Sequence, residues 1–160
     1  MVKQIERDDD MWRMGAIRGG YWLRRPGPGA EAAIVTMGAL ATEALAAWEA
    51  MADELPGLGL LLVTSPDLLH RDWSARLAKT GAPPSHVETL LAELPPGAGL
   101  VTMLDGAPGE LSWLGGVDGR RVSPLGVDRF GQTGDLPDLY REYRLDSDAV
   151  VAAMAKLFAS

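Results

Sequence analysis

The chain has no cysteine, no asparagine, two histidines and only three lysines, Lys3, Lys79 and Lys156. Without cysteine there are no disulfides, thiolate zinc sites, iron-sulfur clusters or cysteine nucleophiles, a composition that fits a reducing compartment and leads us to expect a cytoplasmic protein. Without asparagine there is no N-linked glycosylation and no metal or cofactor motif that needs that side chain. Scarce lysine leaves Schiff-base chemistry poorly supplied. Basic charge is short as well: the net charge is -7. Nucleic-acid binding draws on clustered Lys and Arg, so that class of partner is not expected. Long apolar runs are also missing. The stretch Leu58 to Val63 is far short of the roughly 20 residues that cross a bilayer, and Met1 to Asp10 is too polar for a signal peptide.

What is present suits one globular domain: 160 residues, 47% hydrophobic and 23% charged. Residues 1–15 read as a charged N-terminal arm and 16–160 as the domain. The aromatic and apolar stretch Gly20 to Arg25 reads as a strand, the Pro-Gly run 26–29 as a loop, and Ala32 to Met37 as a second strand. The two are expected to form an antiparallel hairpin. After Gly38, apolar residues at Leu40, Ala41, Leu45, Trp48, Met51, Ala52 and Leu55 recur with helical spacing, ended by Pro56 and Gly57. Leu58 to Thr64 has the continuous apolarity of a strand covered on both faces, which completes a βαβ unit.

Ser65 and Pro66 open a helix toward Lys79, and Ser85 with Glu88 three positions on is a capping box for a helix over His86 to Leu94. Leu100 to Leu104 reads as a parallel strand, 109–117 as a short helix and Arg121 to Val127 as a last strand. Asp135 caps a helix over Leu136 to Tyr143. A final helix follows Asp146, with Val150, Val151, Met154, Leu157 and Phe158 inward. The fold class is therefore α/β: a three-layer αβα sandwich whose five-stranded, mostly parallel sheet has one antiparallel edge strand.

Candidate chemistry is thin. There is no Gly-x-Ser-x-Gly elbow, no P-loop and no dinucleotide fingerprint. His70 and His86 are available as bases, but the bland reading, helix-surface or cap residues, is favoured. The strand end Thr36, Met37, Gly38 offers backbone N–H groups at a helix start, as any βα turn does. A crevice at the carboxyl ends of the strands, near Gly38, Ser65 and Asp105, would be the place for a small ligand if the chain were a self-standing binding module. Among the tryptophans, Trp48 is assigned to the core, while Trp22 on an edge strand and Trp12 in the arm are expected at an interface, with an exposed apolar patch that includes Trp22 or Trp12.

The run Gly19 to Leu23, then Ala33 to Gly38 and a helix, then Gly126, Val127, Asp128, Arg129, Phe130, Gly131, Gln132, Thr133, Gly134, Asp135, and finally Asp138, Leu139, Tyr140 resembles the C-terminal domain of transketolase-like thiamine diphosphate enzymes, most nearly the homodimeric decarboxylating component of pyruvate dehydrogenase. The resemblance spans about residues 11–158 and implies the mixed five-stranded sheet just described. It implies a parent enzyme, a 2-oxo acid dehydrogenase component or a transketolase, that holds thiamine diphosphate through Mg²⁺ and forms a homodimer. In that family the cofactor ligands belong to other domains, on a Gly-Asp-Gly stretch with a downstream Asn.

This chain has only fragments of that stretch, at Asp105-Gly106 and Asp118-Gly119, and no Asn. The expectation is therefore a structural and interface domain, inactive alone, with no catalytic, cofactor or metal residue of its own. Its partners would be the remaining domains or subunits of the parent, met through Trp12, Trp22, Arg129 and Phe130. A docking module for the acyl-carrying partner of a dehydrogenase complex is a further alternative.

Overall fold

The computed structural model describes residues 10–129 and 134–159. In chain order the strands are β1 (Gly20–Arg24), β2 (Ala32–Met37), β3 (Gly59–Val63), β4 (Gly99–Leu104) and β5 (Val122–Leu125). The helices are α1 (Met11–Ile17), α2 (Ala41–Met51), α3 (Pro66–Leu77), α4 (His86–Leu91), α5 (Gly109–Ser112), α6 (Leu136–Glu142) and α7 (Ser147–Ala159). The expected boundary at residue 15 falls inside α1, which lies against β1 and is tied to the end of β3, where the Thr64 hydroxyl donates to the Ala16 carbonyl at 2.6 Å.

The strands form one sheet in the order β1-β3-β2-β4-β5, with β1 antiparallel to β3 and the other pairs parallel. Alternation sorts the strand side chains between two cores. On the front face Trp22, Ala33, Val35, Leu61, Val63, Leu100 and Leu104 meet α3, α4 and α5. On the rear face Ala32, Ile34, Leu60, Val101 and Met103 meet α2 and α7. The central strands β2, β3 and β4 are buried on both sides, which is why they read as apolar runs, broken only by the buried Thr36 in β2 and Thr102 in β4.

The expected β1–β2 hairpin does not form. Gly20 faces Val63 and Trp22 faces Leu61, so β3 lies between the two strands. Residues 25–31 are a crossover that must cover two strand spacings, about 10 Å, a distance that many residues span easily. Its path runs past the start of β3, where Gly27 N–H donates to the Gly57 carbonyl at 3.1 Å. Gly57 has no room for a side chain: a Cβ would lie 2.8 Å from the backbone of Ala30.

Two helix faces are also corrected. In the 38–51 region the fully buried line is Leu40, Ala44, Ala47 and Met51, with Leu45 and Trp48 only flanking it. Trp48 is half-buried, its indole N–H donating to the Leu58 carbonyl at 2.7 Å, so it packs at the margin of the core and not in its centre. In α7 the buried line is Val150, Ala153, Met154 and Leu157, while Val151 and Phe158 are each 39% exposed. In both helices an alanine takes the place of a larger expected residue because small side chains let the helix approach the sheet closely.

Candidate functional site

The topology brings Gly38, Ser65 and Asp105 to adjacent strand ends, at the carboxyl edge of β2, β3 and β4. Ser65 is occupied there. Its hydroxyl caps α3 by accepting from Leu68 N–H at 3.3 Å, and its own N–H donates to the Gly19 carbonyl at 3.1 Å. Gly19 takes a φ of +107° to make this contact, with the Ser65 carbonyl 2.9 Å from where a Cβ would stand. Gly38, at φ +68°, turns the chain into a short 3-10 segment before α2, with no side chain capping it. The field around that end is negative. Burial, and then Asp105 and Glu43, raise the Tyr140 phenol above its ordinary range. Two carboxylates acting on the same hydroxyl argue against an anion at Gly38.

The donor set does not suit thiamine diphosphate or its divalent ion. Among the described residues no three His, Asp or Glu side chains cluster to hold a metal, and the chain has no Asn. Asp105 stands alone beside Gly106, whose carbonyl already accepts from Val127 N–H at 2.8 Å. Asp118, at φ 58°, faces the Arg120 guanidinium at 4.0 Å. Neither fragment of a Gly-Asp-Gly stretch is completed.

A concave feature with titratable lining lies elsewhere, between the end of α1, α3 and the start of α4. A groove of about 430 Å³ is lined by Ile17, Arg18, Leu68, Arg71, Asp72, Ala75 and His86. Leu68, Arg71, Asp72 and Ala75 follow i, i+3, i+4, i+7 spacing and form one face of α3, while Leu69 on the opposite side is fully buried. His86 opens α4. Its backbone N–H donates to Asp72 Oδ2 at 2.7 Å and its ring Nε2 lies 2.8 Å from the Gly20 carbonyl. A carbonyl only accepts, so Nε2 carries the proton and Nδ1 presents a lone pair. Nδ1 is buried without a hydrogen-bond partner. Burial chiefly, with help from Arg18, holds the imidazole below its ordinary 6.5, against the opposing pull of the Gly20 carbonyl, Asp72 and the Gly15 carbonyl. His86 is neither a surface residue nor a simple cap, since its ring joins β1 to α4.

The interface candidates divide. Trp22 is 7% exposed and donates to the Leu90 carbonyl at 3.2 Å, so of the two tryptophans it is not the one in an exposed patch: the front helices cover that face of the edge strand. Trp12 is half-buried beside Tyr21, ring centroids 5.9 Å apart, with Arg13 over its ring. Beside it on α1, Met14 and Ile17 are 60% and 70% exposed. Arg129 donates to the Glu142 carboxylate at 2.8 Å and lies over the Tyr143 ring. Phe130 lies outside the described residues.

No protein-family model matches the chain, and no curated protein matches it. Solved structures do. Transketolase from Leishmania mexicana superposes with a TM-score of 0.64 at 19% identity, over 90% of this chain and 18% of its own. A transketolase variant from Pichia stipitis gives 0.65 at 19% identity, over 91% and 19%. The fold is that of the transketolase C-terminal domain. A split-gene transketolase, solved as an inactive beta4 tetramer, gives 0.61 at 19% identity, over 88% of this chain and 41% of that one. The chain thus spans about a fifth of the full-length transketolases it matches, and less than half of the split one.

Proposed function

We propose that the chain serves as the C-terminal-type domain of a thiamine diphosphate enzyme, a transketolase or the decarboxylating component of a 2-oxo acid dehydrogenase, and that it is inactive on its own. The observation that carries this is the transketolase fold in a chain that spans only a fifth of those enzymes and whose described residues show no cluster of metal donors. The parent would supply thiamine diphosphate and Mg²⁺ from its other domains and work as a homodimer. The apolar outer face of α1, with Met14 and Ile17 exposed beside Trp12, is the surface offered to those domains.

Reconstitution tests the reading. The chain is combined with the cofactor-binding domains of its parent, and thiamine-dependent turnover of a ketose phosphate and of a 2-oxo acid is followed. Activity is expected only in the mixture, for one of the two substrate classes. Replacing Met14 and Ile17 with Asp is expected to weaken assembly at least about tenfold, as loss of a buried apolar anchor does. Calorimetry on the isolated chain should show no uptake of thiamine diphosphate. Turnover of either substrate by the chain alone would refute the proposal.

A further inference from the structure

We infer that Asp118 and Gly119 form a site of spontaneous covalent modification, where the peptide link between them moves from the main-chain carbonyl of Asp118 to its side-chain carboxyl. Nothing in this site depends on what the whole enzyme does. The Gly119 nitrogen attacks Cγ of the protonated Asp118 side chain: a C–N bond forms, the C–OH bond breaks, and the hydroxyl leaves as water with the amide proton. Solvent water then opens the five-membered imide at either carbonyl. Opening at Cγ restores aspartate, and opening at the main-chain carbonyl leaves isoaspartate, with no net gain or loss of atoms.

Three observations single out this pair. The nucleophile is unencumbered: the Gly119 N–H makes no hydrogen bond among the described residues, and beyond its chain neighbours no atom lies within 4 Å of where a Cβ would stand. The electrophile meets solvent: the Asp118 side chain is 58% exposed, and its contact with Arg120 is 4.0 Å long. The backbone belongs to no helix or strand, so no ladder bond breaks as the imide closes. Asp118 at φ 58° and Gly119 at φ 64° make a left-handed turn, the backbone region in which glycine is at ease.

The chain's other Asp-Gly pair supplies the contrast. At Asp105 and Gly106 the peptide is wedged: the Gly106 carbonyl accepts from Val127 N–H at 2.8 Å, and Gly126 packs so close that a Cβ there would lie 2.6 Å from the same oxygen. What flanks the reactive turn sets the consequence. Val117 and Arg120 are both buried, so both ends are anchored, and an isoaspartyl link places one more main-chain carbon between them. Arg120 holds the carbonyls of Leu91, Leu94, Pro95 and Ala98. Modification at 118 therefore displaces the group that fastens the end of α4.

The test ages the full chain for several weeks, below its melting temperature, in water enriched in heavy oxygen. Peptide mass spectrometry and isoaspartyl-specific methyl transfer are the readouts. The peptide that holds residues 118 and 119 should accumulate isoaspartate carrying a heavy oxygen, and the peptide that holds 105 and 106 about tenfold less. Asp118→Glu, whose longer side chain would have to close a six-membered ring, should abolish the reaction at this position. Asp118→Asn, which tolerates the left-handed backbone, should form the same imide faster, with release of ammonia. The modified chain should melt about 3 °C lower than the fresh one and exchange its α4 amides faster, with α7 unchanged. No isoaspartate at 118, equal accumulation at 105, or a reaction that survives Asp118→Glu would overturn the site. Unchanged α4 exchange in the modified chain would overturn its link to Arg120.

Discussion

On the front of the sheet, buried polar side chains reach across to helix carbonyls and loops; on the rear, helices lie against strands with little between them but methyl groups. Trp22 donates to Leu90, His86 meets Gly20, and Arg120 spreads its guanidinium over the carbonyls of Leu91, Leu94, Pro95 and Ala98 at 2.8 to 3.3 Å. The rear has Ala44, Ala47 and Ala153 in contact, and Leu157 over Gly99, where a Cβ would lie 2.5 Å from the leucine. Helix length accounts for the contrast. α4 has 6 residues, too few to persist by propensity, so it needs its ends held; α2 and α7 have 11 and 13 and need only a surface to bury. Polar ties dominate around the short element, while the long ones rest mainly on close apolar packing, with single bonds at their margins from Trp48 to the Leu58 carbonyl and from Arg121 to the Leu157 carbonyl.

The largest test of that contrast is Arg120→Met. Arg120 is 6% exposed and a cation at the carboxyl end of α4 also suits the helix dipole. Replacement leaves buried carbonyls without a donor, and about 3 kcal/mol of stability should be lost in urea titration. A loss under about 1 kcal/mol would mean that the front layer does not depend on its polar ties. Next comes Gly99→Ala, expected to cost about 2 kcal/mol by overpacking against Leu157. Because the added methyl would meet the Leu157 side chain itself, Leu157→Ala in the same chain should recover part of that cost, so the double substitution falls short of the sum of the singles by about 1 kcal/mol. Strict additivity would break the account of the rear layer.

Much of this was legible in the sequence because the rules involved are local. The capping box shows it: Ser85 and Glu88 sit three apart, and the structure closes both bonds, with Glu88 Oε2 accepting from Ser85 N–H at 2.7 Å. The apolar runs gave the buried strands for the same reason. The strand order was not legible, since nothing in residues 25–31 says which neighbour β1 will choose. Trp22 and Trp48 exchanged places for a related reason: an edge strand still has a covered face, and a residue on a helix can lie at the rim of its stripe. The groove carried one readable signal, a polar pair at 71 and 72 on a helix face that continues with Leu68 and Ala75. What brings His86 and Arg18 to it is tertiary, as is the fan of bonds at Arg120, so no spacing rule points to either.

A smaller effect separates the contribution of the cap from that of the buried ring. Ser85→Ala removes the hydroxyl that accepts from Glu88 N–H, and should cost about 1 kcal/mol, with fraying confined to α4 in hydrogen exchange. Fraying that spread equally to α7 would show that the two layers open together.

The smallest effect is in pH, and its sign differs between the layers. In the front layer the folded state holds the His86 imidazole below 6.5, mainly through burial, so the unfolded chain takes up a proton that the folded chain refuses. Stability present above 6.5 is therefore lost as pH falls through the folded value. Glu88, which burial pushes upward but Ser85 and Arg76 pull lower still, adds a similar loss below 4.5. On the rear side burial and then Asp105 raise the Tyr140 phenol above 10, so its contribution is complete below 10 and is lost as pH rises through the folded value. Amide exchange corrected for its intrinsic pH dependence should then show α4 losing protection between about pH 7 and about pH 5 while α7 keeps it, and His86→Gln should flatten the front response without touching the rear. Equal slopes in α4 and α7, or a slope in α4 that survives His86→Gln, would show that the acid response arises outside the buried imidazole.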